Sequence, residues 1–212
     1  SATRIQARFT YAPDQFLGDN EERQSGQGKL TAEKLTSYIW STRLIHDVTP
    51  DLSVRLLNRY GMRRYNEAFS ERDINFWTIG PHVDWRVAPK VKLGLSYHYE
   101  RGLAEGRNQP QFEDDTSYIN HYLSADADVE LNERLSLLTA FHFEHNIWTS
   151  GLAGDERNGA YENIYQGEVI LAYRLTDSIQ VFGGVQRSSR KESFESSSIK
   201  NTNVGIGLSA RF

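Results

Sequence analysis

The sequence has no cysteine, a single methionine and only five prolines in 212 residues. Without cysteine, the chain can form neither a disulfide framework nor a thiolate metal site. No stretch approaches the roughly 20 consecutive apolar residues that a membrane-spanning helix needs. The formal net charge of −4 is small and gives no basis for nucleic-acid binding. We therefore expect no nucleic-acid partner, and no motif indicates a cofactor.

Overall hydrophobicity is low, with 38% hydrophobic residues and a mean hydropathy of −0.60. Low hydropathy is compatible with a membrane β-barrel, because only every second residue of each strand faces lipid and the lumen is polar. Aromatic residues are frequent, at 12%. The length fits one domain over residues 1–212. Since no signal peptide precedes the first strand, we expect a mature barrel or the barrel part of a longer chain.

The last twelve residues, 201–212, alternate strictly between apolar and small or polar side chains. Val204, Ile206, Leu208, Ala210 and Phe212 fall on one face, and this period of two predicts a β-strand. A strand that ends on an aromatic residue in this way resembles the terminal strand of Gram-negative outer-membrane β-barrel proteins. The resemblance implies that Leu208, Ala210 and Phe212 belong to the signal that the barrel-insertion machinery reads. The alternative is an amphipathic strand of a soluble β protein.

Short turns alternate with long polar stretches along the rest of the chain. Four similar short junctions recur about every 40 residues, at 47–53, 86–92, 130–136 and 174–180. Longer segments rich in glycine and polar residues lie between them, at 13–29, 64–73, 101–115, 149–160 and 189–198. In outer-membrane barrels the short turns are periplasmic and the long loops extracellular. The alternation therefore favours the membrane barrel over a soluble one.

About ten strands separate these turns and loops. Their predicted ranges are 2–12, 35–48, 52–63, 74–87, 91–101, 116–131, 135–147, 161–175, 179–188 and 199–212. We predict a transmembrane antiparallel up-and-down β-barrel in the bacterial outer membrane, with both termini periplasmic. Pro81 lies in the middle of the fourth strand, where it would cost a ladder hydrogen bond unless a bulge absorbs it. The first long loop has room for a short helix near Ala32–Leu35.

Counting from each turn assigns alternate residues of a strand to opposite faces. One face of strands four to eight carries no charged residue apart from Arg101, the last residue of the predicted fifth strand. Aromatic residues gather towards both ends of this face, as in the girdles at membrane interfaces. We therefore expect contact with outer-membrane lipid and lipopolysaccharide.

The opposite face carries charges that are sorted by strand. The basic set on strands one to four comprises Arg4, Arg8, Arg43, Arg55, Arg59 and Arg86. The acidic set on strands six to eight comprises Asp126, Asp128, Glu130, Glu144, Glu162 and Glu168. We predict that ion pairs between the two walls largely fill the lumen, with Arg55, Arg59 and Arg86 in contact with Asp126, Asp128 and Glu168. The alternative is that the charges line a narrow solute pathway.

Three histidines share this inward face, namely His82, His98 and His142, each followed two residues later by a carboxylate. They would form either structural hydrogen bonds or a metal or acid–base site. No motif known from outer-membrane enzymes is present, so we predict a non-enzymatic barrel. Its predicted role is to anchor an assembly or to present its loops to a protein partner of the cell envelope. The alternatives are a narrow, porin-like channel or transporter for a small solute and, third, an outer-membrane enzyme.

Overall fold

The computed structural model describes residues 2–22, 29–193 and 198–210, which form one antiparallel sheet of ten strands. The strands are β1 (Ala2–Glu21), β2 (Leu30–Thr49), β3 (Leu52–Tyr65), β4 (Ile74–Ala88), β5 (Val91–Ala104), β6 (Tyr118–Glu130), β7 (Leu135–Trp148), β8 (Tyr161–Arg174), β9 (Ile179–Glu192) and β10 (Ser198–Ala210). Each strand pairs with the next one in the chain, so the order in the sheet is the order in the sequence. The predicted all-β, up-and-down architecture is confirmed.

The predicted alternation of turns and loops is also confirmed. Only two residues separate β2 from β3 and β4 from β5, and four separate β6 from β7 and β8 from β9. The segments at the other end of the strands are longer and hold three short 3-10 helices, at Glu67–Arg72, Glu105–Asn108 and Pro110–Phe112. None of the helices in the described residues is long and apolar enough to cross a membrane.

The first hairpin is longer than predicted. Strands β1 and β2 remain paired from Ala2–Asp47 up to Glu21–Leu30, with two irregularities near Pro13–Asp14 and Gly18. Asp14 and Gly18 have positive φ angles of 45° and 130°, so the chain takes up the extra residues as bulges rather than as a loop. The predicted helix near Ala32–Leu35 is therefore wrong, because these residues continue β2.

Pro81 interrupts one ladder without changing its register. Between β4 and β5 the pairing runs from Ile79–Tyr99 directly to His82–Ser96, and the two intervening positions are unpaired. This part of the ladder has no bulge, and the lost hydrogen bond is taken up by the two unpaired positions instead. Gly80 is needed here, because a Cβ atom at this position would lie 2.0 Å from the carbonyl oxygen of Tyr97.

The two faces of the sheet differ as predicted. Leu95 is 52% exposed on the apolar face, whereas the adjacent Ser96 is 6% exposed on the polar face, where it hydrogen-bonds to Ser124. We call the apolar, exposed side the outward face and the charged side the inward face. The principal apolar cluster of the described residues, Ile74, Phe76 and Ala104, lies on the inward face at the loop end of the strands.

The first and last strands form the edges of the described sheet. Over the described residues, β1 pairs with β2 and β10 pairs with β9. Outward side chains at these edges are unusually open to solvent, with Ile5 72% and Ile206 90% exposed. Each of these strands has a neighbour on one side alone, and this leaves a row of backbone donors and acceptors on its other side.

Candidate functional site

The strongest candidate site on the inward face is a basic wall on β1, β2 and β3. In the ladders, Ser41 lies between Arg8 on one side and Arg59 on the other. Arg43 lies two residues further along β2, between Gln6 and Leu57. Together these arginines line a cavity of ≈ 620 Å³. Three cationic side chains therefore surround one serine on a single wall.

This group of arginines, Arg8, Arg43 and Arg59, lacks acidic neighbours. Its flanking residues in the ladders are serine, threonine, glutamine and leucine. Within the described ranges, no carboxylate lies at ion-pair distance from any of the three guanidinium groups, whereas the other three arginines of the predicted basic set are paired. The wall therefore presents uncompensated positive charge to the cavity.

The paired arginines use local partners. Arg4 lies 3.0 Å from Asp47 on the neighbouring strand. Arg55 contacts Asp84, which also lies 3.0 Å from His82 Nε2. These contacts join adjacent strands rather than opposite walls.

Arg86 lies 3.6 Å from Asp51, in the turn that joins β2 and β3. The expectation that Arg55 and Arg86 contact the acidic wall is thus not met, because Asp84 and Asp51 lie closer along the sheet. The sequence showed which charges face inward, but not which of them are neighbours.

The acidic wall occupies β6, β7 and β8 as predicted. Glu144 accepts hydrogen bonds from Asn120 at 2.7 Å and from Asn146 at 3.1 Å. On β6, Asp126 covers Gly94 and Asp128 pairs with Lys92, while Glu130 is the last residue of the strand. On β8, Glu168 lies between Ala140 and Gln186 in the ladders. The basic and acidic walls are therefore on separate strands of the sheet.

One ion pair on the inward face was missed from the sequence. Arg190 contacts Glu162 and lies 2.9 Å from Glu192. The predicted ninth strand ended at residue 188, so Arg190 was assigned to a loop.

The three inward histidines do not form one group. The ring of Tyr122 lies between those of His98 and His142, with ring centroids 5.9 Å apart on each side. The Tyr122 hydroxyl is 2.7 Å from His142 Nδ1. His82 instead contacts Asp84. No cluster of three potential metal ligands occurs among the residues that the structure describes.

The loops carry a second charged cluster that sequence patterns did not reveal. Asp114, in the loop after β5, contacts Arg72 at 3.3 Å and Arg157 at 2.9 Å. Arg72 also lies 2.8 Å from Glu33 on β2, and Arg157 lies 2.9 Å from Asp155. Three loops and the first hairpin are thereby joined. Loops lack the periodicity from which strand contacts are predicted, and only their density of charged residues was a signal.

Asp115 anchors the same loop cluster from a fully buried position. It accepts backbone hydrogen bonds from Ser117 at 2.9 Å and from Gly151 at 2.6 Å, and it lies 3.4 Å from Arg107. Burial raises the pKa of Asp115, but the hydrogen bonds from Ser117, Gly151 and Arg107 outweigh it and hold the pKa below its usual value. The Arg157 guanidinium likewise lowers the pKa of Asp155.

The predicted insertion signal lies partly outside the described residues. Leu208 and Ala210 are in β10, and Leu208 shares the outward face with Val204 and Ile206. Phe212 lies outside the described range.

Comparison with protein-family models gives no match. Comparison with curated proteins by sequence gives none either. Solved structures do match. A loop L8 deletion mutant of OmpT, an outer-membrane protein of Vibrio cholerae, superposes with a TM-score of 0.55 over 96% of this chain and 75% of its own, at 9% identity. The copper transporter OprC superposes with a TM-score of 0.54 over 97% of this chain and 36% of its own, at 11% identity.

The chain has the outer-membrane β-barrel fold. This likeness to two longer chains confirms the resemblance to outer-membrane β-barrel proteins at the level of the class. At identities this low, it concerns the fold alone.

Proposed function

We propose that the chain is an integral outer-membrane protein whose outward face contacts lipid. The short turns and both chain termini lie in the periplasm, and the long loops are extracellular. The alternating faces and the segregation of turn lengths support this orientation. Single cysteines at the exposed loop residues Asn108 and Glu156 in intact cells should react with an impermeant maleimide, whereas cysteines at Pro50 and Pro89 should not. The reverse labelling pattern would overturn the orientation.

We propose further that the lumen is a narrow, water-filled pathway for small charged solutes. The observation that carries this proposal is the group Arg8, Arg43 and Arg59, whose guanidinium groups line a cavity without an acidic partner among the described residues. Unpaired guanidinium groups in a dry interior are very unfavourable, whereas water or a passing anion solvates them. This favours a channel over a lumen that is filled by paired charges.

The pathway is narrowed at its loop end. There Phe76 covers Gly61, whose Cβ atom would lie 2.1 Å from the Phe76 ring, and the Arg63 guanidinium lies 4.8 Å above that ring. Below this apolar layer, the basic wall supplies charge-assisted donors that suit carboxylate and phosphate groups. We expect solutes that carry such groups to be favoured.

The test is conductance of the purified protein in a planar bilayer. We expect a small conductance that favours anions, and Arg59→Ala should weaken that preference without abolishing the current. Arg134→Ala, in the turn between β6 and β7, is the matched control and should leave the preference unchanged. A folded protein without measurable conductance would defeat the channel proposal and restore the filled-lumen prediction.

A second candidate function is an interaction scaffold that presents the loops to an envelope partner. The contacts of Asp114 with Arg72 and Arg157 favour it, because a cross-linked loop surface is pre-organised for binding. In this case, in-cell cross-linking through a loop residue such as Glu156 should capture a defined partner, and Asp114→Ala should reduce the yield while conductance stays unchanged. Neither function requires catalysis, and we propose no enzymatic role.

A further inference from the structure

The loop end of the outward face is divided into two sectors of different chemistry. On β1 to β4, one row of paired positions holds Phe9, Trp40, Tyr60 and Trp77. The Phe9 and Trp40 ring centroids are 5.0 Å apart, and those of Trp40 and Tyr60 are 6.2 Å apart. This aromatic sector matches the girdle expected at a membrane interface.

On β6 to β10 polar side chains lie among the aromatic ones, and we call this part the polar sector. One row of paired positions runs through His121, His145, Asn163 and Lys191. His145 Nδ1 lies 2.7 Å from the Asn163 amide oxygen, and the His121 and His145 ring centroids are 6.2 Å apart. Tyr99 pairs with His121, and the Tyr161 ring centroid lies 5.7 Å from that of His145, so hydrogen-bonding groups stand among the aromatic rings here.

Three cations complete the polar sector, and we call them the outward cation group: Arg187, Lys191 and Lys200. Lys200 pairs with Ser189, which lies on β9 between Arg187 and Lys191, so the three side chains form a zigzag across β9 and β10. All three are exposed. The outward positions of β8, β9 and β10 within the described ranges include no aspartate or glutamate, and no carboxylate described there forms an ion pair with the group.

The surface directly beside Arg187 is apolar and shallow. A groove of ≈ 590 Å³ runs along it. Apolar or small residues such as Ala125, Gly167 and Val185 line most of this groove, and the inward residues Asp126 and Glu168 border it. A Cβ atom at Gly167, the residue paired with Arg187, would have no atom within 4 Å. Small residues thus leave room for a hydrocarbon chain next to a cation that can extend its head group towards the membrane surface.

We propose that the outward cation group binds the phosphorylated head group of an anionic lipid in the loop-side leaflet, with an acyl chain in the adjacent groove. Charge complementarity carries the choice of ligand, because a phosphate meets three cations here and no outward carboxylate on the described parts of β8 to β10. The aromatic sector offers no comparable charge. The inference rests on the proposed membrane placement, but it is independent of whether the lumen conducts.

The test uses the full chain, purified and refolded in detergent, with lipid A bisphosphate as the probe and its dephosphorylated form for comparison. Native mass spectrometry measures the lipid that remains bound. We expect the phosphorylated form to be retained, and the triple variant R187Q/K191Q/K200Q to retain at least tenfold less of it. The inward triple variant R8Q/R43Q/R59Q is the matched control and should retain lipid normally.

Equal retention of both lipid forms, or full retention by the outward triple variant, would overturn the proposal. Displacement of the lipid by millimolar inorganic phosphate would also overturn it, because the site would then recognise a free anion rather than a lipid. If the outward triple variant fails to fold, judged by its gel mobility before and after heating, K191Q and K200Q alone should each lower retention. Conductance of the outward variants should equal that of the wild type, so this test fails independently of the channel.

Discussion

The Arg157 guanidinium lies 2.9 Å from the Asp114 carboxylate and so joins the loop after β7 to the loop after β5. The same carboxylate contacts Arg72 at 3.3 Å, and its side chain is only 5% exposed. Two loops and a 3-10 helix are therefore tied to one nearly buried acid. Removal of that acid leaves two arginines without this partner.

We predict that Asp114→Ala loosens the loop cluster by about 3 to 5 kcal/mol, because it breaks a buried charge pair on one side. Proteolysis within residues 149–160 should become much faster, while the strands stay resistant. Glu156→Ala, an exposed neighbour in the same loop, should change the cleavage rate little. Equal effects of the two substitutions would mean that the cluster contributes no order to the loop.

Acidification should destabilise the same loops. The folded-state pKa values of Asp115 and Asp155 are both lowered, so their stabilising contribution is complete above the unfolded pKa of about 4. It is lost as the pH falls from there through the folded values. Thermal unfolding in detergent between pH 7 and pH 2 should show this loss at the acid end, and Asp155→Asn should flatten the curve. An unchanged acid response in that variant would contradict the assignment.

Lipid contact by the outward face predicts a contrast between neighbours on β9. Val185→Arg places a charge on the apolar face and should destabilise the inserted protein by about 2 to 4 kcal/mol. Gln186→Arg, one residue along, faces the lumen and should be milder. Urea unfolding in lipid vesicles measures both. Gln186 is preferred to other inward positions such as Ser96 and Ala172, because those two side chains are buried and an arginine there would be destabilising through overpacking alone.

The exposed edges of β1 and β10 predict closure within one chain in the membrane, because unpaired backbone groups are very unfavourable in lipid. A cysteine at Ala7 combined in turn with one at Val204, Ile206 or Leu208 should give an intramolecular disulfide for one of the three positions. Gel mobility after oxidation distinguishes this product from a dimer. Cross-links between two chains alone would show that the edges pair with a second copy instead.

Most of the sheet could be predicted from the sequence, because neighbouring residues of a strand point to opposite faces and this alternation can be read from a short segment. Alternation placed Leu95 outward and Ser96 inward, and it identified the short turns. The first hairpin was underestimated since Pro13 and Asp14 are typical turn residues, and nothing local shows that they occupy a bulge.

The site was predicted in composition but not in pairing. The alternation of side chains showed that Arg59 and Asp126 both face inward. The pairing of Arg55 with Asp84 depends instead on the register of β3 against β4, which alternation does not give. The outward position of Lys191 was missed because the predicted ninth strand ended at residue 188. The loop contacts of Asp114 have no periodic signal at all, so only the three-dimensional structure reveals them.

The β4–β5 ladder is unpaired at Gly80 and Pro81, and this bears on how easily the sheet bends there. A sheet resists bending through its cross-strand hydrogen bonds, and the described β4–β5 ladder lacks pairing at two successive positions while its register stays fixed. We call this unpaired part of the ladder the seam. It separates β1–β3, which hold Arg8, Arg43 and Arg59, from β6–β8, which hold the acidic wall. We expect the sheet to bend more easily at this seam, and such bending would change the distance between the basic and acidic walls.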